Sequence, residues 1–216
     1  MRNIASVFFD FDGVVINSEP LHAKAKRLVL DKYKISYPET IFDEYKGRTD
    51  NVFFDFVSEN LTSSIYSSQL LYSSKKEVFE EIVNELELVD GFEYFLRKVK
   101  EKGIATALVS STSLYSLGLI NKIYNISEMF DLIITEVDTE KHKPEPDPYL
   151  KALEKLPAKT HNTIVIEDSP NGIISAKKAG CYVYGLTSSF QRTLLEEVGA
   201  DCIIDSYHEL AALLNL

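Results

Sequence analysis

Ser6-Val7-Phe8-Phe9-Asp10-Phe11-Asp12-Gly13-Val14-Val15 is an apolar run broken by two carboxylates one residue apart, just before a glycine. Successive side chains of a strand alternate in direction, so Asp10 and Asp12 should project to one side as the chain leaves the strand and turns at Gly13. An Asp-Gly pair after a β-like run also reads simply as a turn. The rest of the chain decides between a turn and a chemical site.

From about Ile104 onward, strand-like and helix-like segments alternate, the pattern of a parallel α/β sheet. The expected strands are Ala105–Val109, Leu132–Thr135, Thr163–Ile166, Tyr182–Leu186 and Cys202–Ile204, with Ser6–Phe11 as a sixth. Phe92, Phe95, Leu96 and Val99 fall on one helical face, as do Tyr149, Leu150, Leu153 and Leu156. Between the first strand and the others, residues 18–87 lack period-2 alternation and read as helices. Their apolar sets are Leu21, Ala25, Leu28, Val29; then Val52, Phe53, Phe56, Val57; then Val78, Phe79, Ile82, Val83. The expected organisation is an α/β core of residues 1–17 and 88–216, with a helical insertion of residues 18–87 acting as a lid over the carboxyl ends of the strands. The serines between Ser58 and Ser74 read as surface helix ends and connections.

Three more polar runs follow apolar ones and would reach the same edge of a parallel sheet. They are Ser110-Ser111-Thr112-Ser113, Lys143-Pro144-Glu145-Pro146-Asp147-Pro148 and Glu167-Asp168-Ser169-Pro170-Asn171-Gly172. Each has a plainer reading: a helix N-cap, a proline-stiffened loop, or acids at the positive end of a helix. Together they suggest convergence. If Asp10, Asp12, Glu167 and Asp168 meet, four carboxylates face one lysine, and each like-charge pair near 4 Å costs about 4 kcal/mol at an effective dielectric of 20. A divalent cation removes that conflict, and oxygen ligands without paired His or Cys favour Mg2+ over Zn2+. Such a site suits phosphoryl transfer, with Asp10 as nucleophile forming an aspartyl-phosphate. Asp12 would protonate the leaving oxygen and then deprotonate the attacking water.

The four runs, in this order, resemble the haloacid-dehalogenase-like hydrolase superfamily, and cover the core almost end to end. The resemblance implies a Rossmann-like core with a helical cap after the first motif. It makes Asp10 the nucleophile, Asp12 the acid/base residue and a backbone-carbonyl metal ligand, and Ser110 the phosphate-binding hydroxyl. Lys143 becomes the bridging lysine, and Asp168 a metal ligand with Glu167 beside it. Asn17-Ser18-Glu19-Pro20-Leu21-His22 and Asp168-Ser169-Pro170-Asn171-Gly172 are similar to the group holding β-phosphoglucomutases and phosphosugar phosphatases. In that group's mutases a histidine at the position of His22 couples cap closure to the acid/base residue, and a cap lysine lies near Lys75 or Lys76. Their Lys-Gly-Val-Ser-Arg is here Lys46-Gly47-Arg48-Thr49-Asp50, with the arginine displaced and an acid in its place. The expectation is therefore a Mg2+-dependent phosphatase of small phosphorylated metabolites, with β-phosphoglucomutase as the alternative.

Composition fits. The 216 residues are 45% hydrophobic and 11% aromatic, enough for a sizeable core. A net charge of −10 argues against nucleic-acid or anionic-membrane partners, which reward a basic surface. Cys181 and Cys202 adjoin strand-like runs and read as buried free thiols in a reducing cytoplasm, and no segment reads as a signal peptide or reaches the roughly 20 apolar residues of a membrane helix. A monomer is the default for a cap closing on small molecules. A dehalogenase would leave the Glu167–Asp168 pair idle, and no cap lysine (Lys24, Lys26, Lys46) stands out for a Schiff base. A phospho-acceptor receiver would place its acids on other strands, and a non-catalytic binding protein on this fold would be expected to have lost one of Asp10, Asp12, Lys143 or Asp168.

Overall fold

A computed structural model describes residues 3–45, 48–156 and 158–216. The chain forms two compact units, Met1–Asn17 with Glu87–Leu216, and Ser18–Leu86. Glu87 joins the first unit, where its carbonyl accepts from the Asn17 N–H at 2.9 Å.

The first unit is an α/β domain around six parallel strands: β1 (Ser6–Phe9), β2 (Ala105–Val109), β3 (Leu132–Ile134), β4 (Thr163–Glu167), β5 (Tyr182–Leu186) and β6 (Cys202–Ile204). Their order is β3-β2-β1-β4-β5-β6, so β1 is central and the order reverses beside it. β1 is fully apolar in its last three residues because both sheet faces are covered. Phe8 enters one cluster with Val109, Tyr149, Val165 and Ile173. Phe9 points to the other face, where its ring lies 5.7 Å from Phe92, 6.1 Å from Phe95 and 5.5 Å from Phe130. Each of these buried phenylalanines contributes about 1.5–3 kcal/mol of apolar burial. That anchors the strand whose end carries Asp10.

β1 stops at Phe9, two residues before the expected end, because Phe11 closes a tight turn by accepting N–H bonds from Val15 and Ile16 at 2.8 and 3.1 Å. Phe92, Phe95, Leu96 and Val99 share the buried face of the helix Phe92–Glu101. The helix Asp147–Lys155 is rotated from the expected face: Tyr149 and Ala152 are buried whereas Leu150 is exposed. Cys181 is buried, Cys202 only half-buried, and both are free thiols.

The second unit is helical: Glu19–Lys32, Ile41–Glu44, Asp50–Phe56 and Ser68–Ile82, with a π-helical turn at Val57–Leu61 and a 3-10 turn at Val83–Glu85. Pro20 sits in the first turn of the first helix, where its missing N–H costs nothing. Ser67 caps the last long helix by accepting from the Leu70 N–H at 3.2 Å. The core is Val29, Leu30, Ile35, Ile41, Phe53, Phe54, Val57 and Leu71. Leu28 and Val52, expected on apolar faces, are exposed. Ser58 and Ser74, expected at the surface, are buried: Ser58 donates to the Tyr66 carbonyl at 2.8 Å and Ser74 bonds the Tyr33 hydroxyl at 2.9 Å. No described helix is long and apolar enough to cross a membrane.

Candidate active site

The sheet order sets up the site. Ligands of open α/β sheets bind at the carboxyl ends of strands where the order reverses, here between β1 and β4. Phe9 is level with Ile166 on one side and Leu108 on the other, so the next residues, Asp10, Glu167 and Val109, end three adjacent strands together. The Asp10 N–H donates to the Ile166 carbonyl at 3.0 Å, which continues the ladder one step and fixes the Asp10 backbone.

Carboxylate oxygens of Asp10, Glu167 and Asp168 lie within 4.8 Å of one another, all three residues buried. Lys143 reaches them from the loop after β3. Its ammonium donates to Asp10 Oδ1, to Glu167 Oε1 at 2.7 Å and to the Val109 carbonyl at 2.9 Å, so its three protons are matched by three acceptors. Glu167 is fully buried, and its Oε1 also accepts from the Tyr149 hydroxyl at 2.7 Å while Oε2 accepts from Ser169 Oγ at 3.1 Å. The Lys143 ammonium stands 5.0 Å from the Tyr149 ring centroid, a cation–π contact.

One lysine cannot offset three carboxylates, and the excess appears as displaced protonation. Burial first, then the Glu167 charge, holds Asp10 well above the ordinary carboxylate range, although Lys143 pulls it down. Burial and Glu167 likewise raise Asp168 to about 7, against the hydroxyls of Ser189 and Ser188. Burial opposes the charge on Lys143, yet Asp10 and Glu167 outweigh it and keep it a cation. A cluster of hard oxygen donors carrying surplus negative charge fits a divalent cation of the Mg2+ type.

Asp12 stands beside this trio rather than in it. The expected meeting of four carboxylates is one of three, because the Asp12 side chain is taken by Thr112, whose hydroxyl donates to Asp12 Oδ2. Asp12 is close enough for its charge to help raise Asp168. Gly13 follows with φ of +74°, a left-handed backbone, and a Cβ there would lie 1.8 Å from Asp168 Oδ2. The glycine thus serves the close approach of Asp168 as well as the turn. Ser110 is buried at the end of β2, its N–H on the Ile134 carbonyl at 2.9 Å and its Oγ accepting from the Thr112 N–H at 2.9 Å.

Thr112, Tyr149 and Ser188, whose Oγ is 3.3 Å from Asp168 Oδ2, were not singled out by sequence spacing. The run Ser110–Ser113 did contain Thr112, but nothing local tells which hydroxyl faces a residue 100 positions away.

The polar residues expected to matter in the helical unit sort differently. Lys75, 4% exposed, donates to Asp50 Oδ2 at 2.7 Å and contacts His22 Nδ1 at 2.9 Å. His22 stacks on Phe79 with centroids 4.7 Å apart, and Lys26 approaches Asp50 Oδ1 at 3.3 Å. Burial works against the Asp50 charge, but Lys75 and Lys26 prevail and hold it below its ordinary range. Lys76 is exposed over the Tyr72 ring and Arg48 is exposed over Tyr45, so neither belongs to this cluster. Lys46 lies outside the described residues.

Comparison with known proteins agrees with this architecture. Residues 7–186 match the family described as haloacid dehalogenase-like hydrolase. A candidate pyrophosphatase PpaX of Caldanaerobacter subterraneus subsp. tengcongensis is 35% identical over 184 residues, covering 82% of this chain and 79% of that one. A phosphorylated carbohydrates phosphatase of Thermotoga maritima is 31% identical over 198 residues, 88% of this chain and 90% of the other. Among solved structures, a candidate β-phosphoglucomutase of Thermotoga maritima superimposes with a TM-score of 0.87 at 28% identity, covering 98% of this chain and 99% of that one. With its sheet order, its strand-end carboxylates and this span of similarity, the chain belongs to the haloacid dehalogenase-like hydrolase family.

Proposed function

We propose that this hydrolase is a Mg2+-dependent phosphatase of small phosphate monoesters, phosphosugars foremost, working through an aspartyl-phosphate on Asp10. The observation that carries the reading is the buried trio Asp10, Glu167 and Asp168, with Lys143 bridging Asp10 and Glu167. The three carboxylates, with the Asp12 backbone carbonyl that the family pattern adds, would hold the cation. Once bound, Mg2+ supplies charge neutralisation that lets an anionic carboxylate approach an anionic phosphate.

The rest falls to the chain's own groups. The Asp10 carboxylate attacks phosphorus while Lys143, already on Asp10 Oδ1, neutralises charge and holds the carboxylate in place. The Ser110 hydroxyl donates to a phosphate oxygen. As the ester P–O bond breaks, Asp12 passes its proton to the leaving oxygen and the alcohol departs. Asp12 then takes a proton from water, whose oxygen attacks phosphorus; the bond to Asp10 breaks and inorganic phosphate leaves. Relatives named as a carbohydrate phosphatase and a candidate pyrophosphatase support phosphorylated small molecules as the substrate class.

A mutase reading is favoured by the His22–Lys75 pair, the group's cap histidine and a cap lysine. It is opposed by Asp50, which stands where the mutases carry a phosphate-gripping arginine and instead binds Lys75 and Lys26. The test is phosphate release from a panel of monoesters with and without chelator. In parallel, β-glucose 1-phosphate with a trace of the 1,6-bisphosphate is followed for glucose 6-phosphate. Chelator-sensitive phosphate release is expected, and Asp10→Asn should abolish it. Turnover by that variant within tenfold of wild type overturns the nucleophile, and glucose 6-phosphate without free phosphate overturns the phosphatase in favour of the mutase.

A further inference from the structure

We propose that Thr112 is a positioning residue that serves proton transfer by Asp12, an inference that rests on the phosphatase reading and adds a residue to it. Thr112 lies in the turn after β2, and Asp12 in the turn after β1, the strand paired with β2 along its whole length. The turn is locally fixed: the Thr112 N–H donates to Ser110 Oγ at 2.9 Å, the i to i+2 closure that serine side chains favour. Its β-branched side chain has few rotamers, so a fixed backbone also fixes the hydroxyl. That hydroxyl donates to Asp12 Oδ2.

The bond matters because of how it changes during reaction. While Asp12 is a neutral acid, the Thr112 hydroxyl meets an ordinary oxygen. As the Asp12 proton passes to the ester oxygen and the P–O bond breaks, the electron pair stays on Asp12. The hydrogen bond then becomes charge-assisted and roughly doubles in strength. An interaction stronger in the transition state than in the ground state raises the rate rather than substrate affinity. The Thr112 proton itself does not transfer. It remains on Thr112 and also fixes which way the Asp12 carboxyl faces. Because the Thr112 amide holds Ser110, one residue aligns the hydroxyl for the phosphate and the acid for the leaving group.

The leaving group separates this role from binding or structure. An alkyl monoester such as a sugar phosphate needs a proton on its departing oxygen. p-Nitrophenyl phosphate, whose phenolate departs unaided, does not. The readout is kcat/KM, which reports transfer to Asp10 and is blind to the later hydrolysis that both substrates share. Thr112→Val should lower kcat/KM for the sugar phosphate ~tenfold or more while leaving p-nitrophenyl phosphate within about twofold, since general acid catalysis contributes 10²–10⁴ only where it is used. Thr112→Ser keeps the hydroxyl and should restore the wild-type ratio, which also shows that the loss is not one of folding. An equal fall on both substrates overturns the assignment and makes Thr112 a binding or structural residue. An unchanged or raised sugar-phosphate rate overturns it too, because the Asp12–Thr112 bond would then be a resting pose that catalysis breaks. A wild type that releases phosphate from neither monoester overturns the phosphatase reading itself, a failure visible before any variant is made.

Discussion

Gly172→Ala offers the sharpest test of how the buried acid is held. Gly172 is the third residue of the helix Pro170–Lys178, so an alanine there adopts ordinary helical angles and should gain about 1 kcal/mol in helix propensity. Its Cβ, however, would lie 1.8 Å from Glu167 Oε1 and 1.9 Å from the Glu167 carboxyl carbon. Glu167 has no exposed surface to move into and is bound by Lys143, Tyr149 and Ser169. Displacing it from Lys143 leaves a buried charge unpaired, a loss of about 3–5 kcal/mol. Against the propensity gain, the net destabilisation is about 2–4 kcal/mol, which for a chain of this size lowers Tm by roughly 4–16 °C. Gly118→Ala is the matched control: it lies within the helix Leu114–Tyr124, where among the described residues the added Cβ meets nothing within 4 Å beyond its chain neighbours and its own helix backbone, and should raise Tm slightly. Both proteins are read by thermal unfolding in EDTA and by phosphate release in Mg2+. If Gly172→Ala melts at or above wild type and turns over within twofold of it, Glu167 is not wedged against Gly172 as described.

Two further expectations concern charge. With Asp168 held at about 7 in the fold, the metal-free folded protein keeps a proton that the unfolded chain has released, over the window between the ordinary carboxylate value and about 7. Stability should therefore fall as pH rises through that window, by a few kcal/mol, and saturating Mg2+ should flatten the slope; a flat profile in EDTA refutes it. Asp50→Asn leaves Lys75 and Lys26 without the carboxylate between them, and should cost about 3 kcal/mol in the helical unit. Proteolysis of residues 18–86 is the direct readout, and unchanged resistance argues that the pair is incidental.

How far the sequence could be read depended on what kind of information a feature needs. β2, β5 and β6 were legible to the residue, because apolar runs bounded by polar turns carry their own limits. Asp10, Ser110, Glu167 and Asp168 could be nominated together because they follow apolar runs, and Lys143 because its proline-rich run comes soon after one; parallel strands bring such ends to one edge. Illegible were relations across the sheet: that Thr112 rather than Asp10 or Glu167 would meet the Asp12 carboxylate, or that the Tyr149 hydroxyl would end on Glu167. Those depend on rotamers and register, which period and spacing do not encode. Leu28, Val52 and Leu150 looked apolar-facing because a 3.6-residue period tolerates a neighbour at the edge of the stripe.

The central position of the first strand has a consequence for how the protein is made. Ser6 in β1 bonds Thr163 in β4, 157 residues later, and the helical unit is inserted before even β2 appears. At roughly 5–20 residues per second of translation, this central strand waits about 8–30 seconds for its second neighbour. During that interval Val7, Phe8 and Phe9 have no finished sheet to enter, while residues 18–86, local in sequence, can already collapse on their own core. Nascent chains stopped before residue 167 should then hold a folded helical unit beside an open, chaperone-binding N-terminus, and the sheet should close only when β4 clears the ribosome.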